Sequence, residues 1–421
     1  MQGKKWSHGF RSLLTIFTVT VFATGAWSAT REQVLHNFGG TDGANPDSGL
    51  VADAAGSLYG TTGTGGIHGN GTVFELMPRE GGGWTEKVLH SFDGADGAFP
   101  DGDLIFDAAG NLYGVTGEGG IHFYGTVFEL TPREDGSWTE KVLHSFDVNG
   151  VDGAFPDSGL VADAAGNLYG TTSAGGIYGS CGQYKCGTVF ELTPAEDGIW
   201  TEKVLHSFNL NGQDGAYPEA SLIIDPGGNL YGTTWTGGIH YLGTAFELSP
   251  TEGGGWAEKV LHSFGNGDDG ASPGGGLTFD AAGNLYGTTG DGGIHHDGTV
   301  FELTPRQGGG WTEKVLHSFG NGTDGISPAY GSLTFDAAGN LYGTTSGGGI
   351  HGYGTAFKLT PQQGGEWQET ILHSFGNGTD GAVPEEGLIL DAAGNLYSTT
   401  TYGGIHDCDD GPCGTAFEIT P

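Results

Sequence analysis

Two histidine series and one aspartate series run through this chain at nearly constant intervals. The phrase V-L-H-S-F, or a close variant, places His36, His90, His144, His206, His262, His317 and His373 at spacings of 54, 54, 62, 56, 55 and 56 residues. The phrase G-G-I-H adds His68, His122, His240, His295, His351 and His406, with Tyr178 in the one remaining copy. A third phrase, D-G-A-x-P and variants, carries Asp42, Asp96, Asp152, Asp214, Asp269, Asp324 and Asp380. Imidazoles and carboxylates bind metals and move protons. One catalytic centre needs one constellation, so seven equal histidines at V-L-H-S-F read as a repeating structural hydrogen bond towards the neighbouring unit. The aspartates read first as turn residues closing on their own backbone. Their sharper reading is calcium, which takes several oxygen ligands from acidic loops. Asp147, Asn149 and Asp152, and on another repeat Asp324, supply the right residue types without the EF-hand spacing.

Departures from the repeat are where a unique site should lie. Phe123, Tyr124, Trp235, Tyr241, Tyr353 and Tyr402 are aromatic additions to one loop series, beside His295, His296 and Asp297. Flat aromatics near polar side chains hold sugar rings by stacking and directed hydrogen bonds. Glu118, Glu219, Asp291 and the Glu385-Glu386 pair are further irregular carboxylates, and paired carboxylates can cleave glycosides. They fall on different repeats, and no spacing sets two of them face to face. No nucleophile elbow, phosphate loop, H-E-x-x-H helix or dinucleotide fingerprint occurs.

The elements that must position these residues are strands. Each unit of about 56 residues contains four short apolar segments. In the second unit these are G-D-L-I-F-D (102–107), N-L-Y-G-V-T (111–116), G-T-V-F-E-L-T-P (125–132) and W-T-E-K-V-L-H-S-F (138–146). Branched and aromatic residues bounded by Gly, Asp, Asn and Pro mark strands and turns. The spacing predicts an all-β, seven-bladed propeller of four-stranded antiparallel blades. The opening R-E-Q-V-L-H-N-F (31–38) matches a fourth strand, whereas the final unit shows only three. The N-terminal strand is therefore expected to close the last blade. In this arrangement the D-G-A-x-P and G-G-I-H loops share one face.

Residues 1–28 read as a secretory signal, with Lys4, Lys5 and Arg11 before an apolar stretch and a small-x-small cleavage site at Ala26-Trp27-Ser28. Residues 29–421 then form one propeller, exported to the periplasm or medium and expected to be monomeric, without membrane insertion or C-terminal anchor. Cys181 and Cys186, and Cys408 and Cys413, suit two local disulfides in such a compartment. Against 14 basic residues stand 50 acidic ones, a net charge of −36. Nucleic-acid binding needs a basic surface and is excluded.

The units D-A-A-G-N-L-Y-G-T-T, G-G-I-H-x-x-G-T-V-F-E-L-T-P and W-T-E-K-V-L-H-S-F resemble the GloVer tandem repeat of exported bacterial proteins, over residues 31–421. More distantly, Asp followed by G-N-L-Y is similar to NHL-type propellers. The resemblance implies a propeller outside the cytoplasm and no particular activity. The expected function is non-enzymatic binding of an extracellular glycan or cell-surface protein on the loop-rich face. An exported polysaccharide lyase or hydrolase, and a calcium-stabilised matrix protein, are the alternatives.

Overall fold

The computed structural model describes residues 30–195, 198–328, 330–408 and 411–421, and every regular element among them is a β-strand. The segment read as a secretory signal lies outside these residues. No helix of the described residues is long and apolar enough to cross a membrane.

Each repeat folds into one four-stranded antiparallel sheet. In the second blade the strands are A (Ile105–Phe106), B (Leu112–Thr116), C (Thr126–Pro132) and D (Trp138–Ser145), hydrogen-bonded in that order. The turn from A to B is built by Asp107. Its Oδ1 accepts the amides of Ala109 and Asn111, both at 2.8 Å, and its Oδ2 accepts Asn111 Nδ2 at 2.7 Å. Burial opposes ionisation there, but these donors hold the Asp107 carboxyl below its ordinary range. Gly110 takes a φ of 86°, which a side chain would resist. Equivalent aspartates build this turn in the other blades, Asp163 and Asp391 among them.

Strand B is buried on both faces, which explains its small central residue. A Cβ added at Gly114 would sit 2.6 Å from the Phe128 ring and 2.8 Å from Leu104. Interfaces between blades carry the core. Phe92, at the end of one D strand, packs edge-on against Phe128 of the next blade at 5.1 Å, and Phe146 repeats this on Phe190 at 5.1 Å. Both members of each pair are essentially inaccessible to solvent. A bulge leaves Leu143 unpaired between Val142 and His144, seating Leu143 in the core shared with the next blade.

Ring closure follows the expectation. Blade seven consists of Ile389–Leu390, Leu396–Thr400, Thr415–Thr420 and the N-terminal Arg31–Asn37, which pairs antiparallel with Thr415–Thr420. The cysteines form the two local bridges, Cys181–Cys186 and Cys408–Cys413. Replacing Cys181 and Cys186 together by Ser should cost about 2 kcal/mol, the loop-closure value for so short a span. Thermal melts of the pair variant check this, and an unchanged Tm would refute it.

Every V-L-H-S-F histidine makes the same contact. Its Nε2 meets the D-G-A-x-P aspartate that follows it, at 3.0 Å for His36–Asp42, 2.9 Å for His90–Asp96 and 2.9 Å for His373–Asp380. The expected repeating hydrogen bond is thus present, with a partner on the following loop. A third group joins each pair from the next blade, namely Glu86, Glu140, Glu202, Glu258, Glu313, Glu369 and Glu32 around the ring. Burial lifts all of these glutamates, six of them to about 7 and Glu369, with Asp324 alongside, to about 8. Each D strand therefore gives its glutamate to one neighbour and its histidine to the other.

Candidate functional site

The D-to-A loops deliver side chains to the ring centre through an unusual backbone step. The residue before the proline of D-G-A-x-P has a positive φ in all seven copies: Asn45, Phe99, Phe155, Tyr217, Ser272, Ser327 and Val383, between 53° and 59°. Such angles are costly for non-glycine residues, most of all for a branched one such as Val383. Two backbone bonds hold each in place. The Phe99 amide donates to Asn70 O at 3.1 Å, and its carbonyl accepts from Gly117 at 2.8 Å. The chain turns sharply at this point, and in five copies the residue after the proline lines the central channel.

That position reads Asp47, Asp101, Asp157, Glu219, Gly274, Ala329 and Glu385 around the ring. Ala329 lies outside the described residues, and Tyr330 beside it lines the channel mouth. All seven blades contribute to a cavity of about 310 Å³, whose wall includes Asp103 and Glu386 as well as these five carboxylates. No arginine or lysine lines it.

Neighbouring carboxylates crowd one another on one arc. A Cβ added at Gly63 would meet Asp101 Oδ1 at 3.0 Å and Asp47 Oδ2 at 3.3 Å, and one at Gly117 would meet Asp157 Oδ1 at 2.8 Å and Asp101 Oδ2 at 3.4 Å. Where other blades have a hydroxyl in place of these glycines, it is used. Ser173 donates to Asp157 Oδ2 at 2.8 Å, and Thr401 to Glu385 Oε2 at 2.9 Å. Asp47 Oδ1 is buried with no hydrogen-bond partner among the described residues.

The result is a set of acids that resist ionisation. Burial, with Glu385 alongside and against a hydrogen bond from Thr401, lifts Asp47 to about 7. Burial and then Asp157 lift Glu219 to about 7, and burial outweighs the Ser173 hydrogen bond to lift Asp157 to about 6. Asp101 stands well above its ordinary value through burial and then Asp47, Asp157 and Glu118. Glu386 does so through burial and then Asp103.

An aromatic pair completes the mouth. Trp235 stacks nearly parallel on Tyr330, 6.1 Å between centroids and 5° between planes. Burial raises the Tyr330 hydroxyl, followed by Glu219, Glu385, Asp291 and Glu386, which places those acids around it.

Of the residues singled out from sequence, Trp235, Glu118, Glu219, Asp291 and the Glu385-Glu386 pair converge here. Phe123, Tyr241, Tyr353 and Tyr402 are exposed along the B-to-C loops, whereas Tyr124 packs edge-on against Phe155 at 5.6 Å. His295 and His296 are exposed with the other G-G-I-H histidines, and Asp297 packs against Gly320. The isoleucine of that phrase is exposed in all seven blades, from 55% at Ile177 to 77% at Ile67. Asn149 turns its oxygen to the amides of Val151 and Asp152, and Asp152 binds Asp147 N, Gly153 N and His144. Asp324 sits on another blade against His317 and Gly325 N, so the four calcium candidates are not gathered at one point. Sequence reasoning missed Asp47, Asp101, Asp103 and Asp157. The signal for Asp47, Asp101 and Asp157 is an acid one residue after the D-G-A-x-P proline, repeated in most units, whereas Asp103 lies three residues after Pro100 and has no such repeat.

No curated protein matches the chain. Among solved structures, it is similar to the extracellular domain of a candidate hybrid two-component system from B. thetaiotaomicron. The identity is 12% and the TM-score 0.54, over 91% of this chain and 39% of that one. It is also similar to a candidate 6-phosphogluconolactonase from Bacteroides uniformis ATCC 8492, at 13% identity and a TM-score of 0.51, over 83% and 88% of the two chains. At these identities the likeness is one of fold, and the chain spans well under half of the first of these proteins. The seven-fold repetition itself has a family. The sequence model for the Gloeobacter/Verrucomicrobia repeat matches residues 15–182 and 176–417, and the chain belongs to that family.

Proposed function

We propose that this chain is a non-catalytic binding propeller that receives the cationic group of an extracellular ligand at its channel mouth. The observation that carries this reading is the arc of Asp47, Asp101 and Asp157, where carboxylates from adjacent blades share space with no basic residue lining the cavity. Like charges so placed repel, and a ligand cation relieves that repulsion while the Trp235–Tyr330 pair offers an aromatic face beside it. Cavity volume limits the inserted part to a small group, such as an alkylammonium or guanidinium end. The two disulfides and the extracellular origin of one structural relative agree with a ligand met outside the cytoplasm.

Titration calorimetry with putrescine in low salt tests the reading. One-to-one binding is expected. Asp101→Asn with Asp157→Asn, or Trp235→Ala alone, should weaken it at least tenfold, whereas Phe123→Ala on the outer loops should not. Absence of heat with putrescine, spermidine and lysine amide, or affinity indifferent to the channel variants, would sink it.

A second reading is favoured by one pair of facts. Glu219 is lifted to about 7 and its carboxyl lies near the Tyr330 that stacks on Trp235, as a general acid beside a sugar platform would. On that reading, oligosaccharide release from a polysaccharide panel disappears in Glu219→Gln. Release that persists in this variant excludes Glu219 as the acid.

A further inference from the structure

The blade interfaces, remote from the channel mouth, hold one imidazole and two carboxylates each. We infer that these interfaces are divalent transition-metal sites, each taking one ion between the His Nε2 and Asp Oδ2 of one blade and the Glu Oε1 of the next. Three observations lead there. At four interfaces, those of His36, His90, His262 and His317, one donor atom from each of the three residues lies within 4.8 Å of the others. At all seven, the glutamate Oε1 is buried without a hydrogen-bond partner among the described residues, and at two the aspartate Oδ1 is as well. Buried carboxylate oxygens are ordinarily satisfied, so a seven-fold repetition of the same orphan atom points to a missing partner.

Charge and donor type narrow that partner. At the Glu369 interface a proton can be shared with Asp324, to which the Glu369 carboxyl is hydrogen-bonded, whereas Oε1 of the other six has no hydrogen-bond partner among the described residues. A divalent ion bonds all three atoms at once. It also matches the charge of −2 that a neutral imidazole and two carboxylates present together. Calcium prefers six to eight oxygens. One imidazole nitrogen with two carboxylate oxygens suits zinc or a similar ion, with further positions left for water. Donors around zinc stand about 3.3 Å apart, given bonds of about 2.0 Å. The four closest clusters, with donors within 4.8 Å, therefore need to close by at most about 1.5 Å. On binding, the imidazole proton moves from Nε2 to Nδ1, and any glutamate still protonated near neutral pH releases its proton.

The test uses the whole chain, stripped with chelator and titrated with Zn²⁺, with bound metal counted after gel filtration. Four to seven ions per chain are expected, with a rise in Tm of several degrees. A variant carrying Glu86→Gln, Glu140→Gln, Glu313→Gln and Glu369→Gln should lose about four ions. Replacing the exposed His68 and His122 by Asn should lose none. If the four-fold variant does not fold, Glu86→Gln alone should lower the count by one. Fewer than one ion per chain would overturn the inference. So would a count that falls with the exposed histidines and not with the glutamates.

Discussion

Deleting residues 30–38 should abolish cooperative folding, the largest effect expected of any change to this chain. That segment is the outer strand of blade seven, paired from Arg31↔Thr420 to Asn37↔Thr415. It also carries Leu35 and Phe38, both in the cluster formed with Leu50, Leu58 and Phe74 of blade one. Losing one buried leucine and one buried phenylalanine costs roughly 5–10 kcal/mol, which is comparable to the whole stability of a typical domain. The Thr415–Thr420 strand is left as an open edge as well, prone to pair with other chains. A permuted chain that carries residues 30–38 after Pro421 should restore the wild-type melt, because Thr420 already lies opposite Arg31 and a tight turn can join them. Calorimetry on the deletion and the permutant checks both claims. A deletion variant that melts as the wild type does would show that the clasp is dispensable.

The second large effect is on acid response. In the metal-free protein, Tm should be highest near pH 4 to 5 and fall by more than about 5 °C on going to pH 8. The interface glutamates bind a proton more tightly in the folded state, at about 7 against an ordinary 4.5. Their contribution is therefore complete below about 4.5 and is lost as pH climbs through 7. Asp47 and Glu219 in the channel, also raised to about 7, act in the same direction. Aspartates held below their ordinary 3.8, among them Asp42, Asp96 and Asp107, have the opposite window and fail only as pH drops below that value. Of these, Asp42 faces His36 and Asp96 faces His90, whereas Asp107 is held by its turn amides. Replacing Glu86, Glu140, Glu313 and Glu369 by Gln should flatten the fall between pH 5 and 8. A Tm that rises steadily from pH 5 to pH 8 would contradict this account.

Much of the architecture was legible because each unit repeats its turn chemistry. Asp107, Asn111 and Gly110 announce the A-to-B turn in plain order, and Arg31–Asn37 could be matched to the last blade by its wording alone. Cys181 with Cys186 was equally direct, being local. The channel was harder. Asp47 and Asp101 are 54 residues apart, and each resembles another turn residue in an aspartate-rich chain. What brings them together is the left-handed step at Asn45 and Phe99, an angle that Asn tolerates but Phe, like the Tyr, Ser and Val of other copies, does not advertise. The interface glutamates were hidden for a different reason. Glu86 and His90 lie on one strand, yet they serve opposite neighbours, so their partners appear only when the ring closes.

The step before each proline also separates what must stay constant from what is free to change. Seven backbone corners are fixed by main-chain bonds, and the residue after each following proline is the one that varies, lining the channel as Asp47, Asp101, Asp157, Glu219 and Glu385 do. Reading that residue around the ring gives an address of seven letters, altered one at a time without disturbing a strand. Duplication of whole units can lengthen such an address, and point substitution can rewrite it. Relatives built on this plan should therefore diverge in ligand while remaining almost superimposable in backbone, and their preferences should be sortable from those seven positions alone.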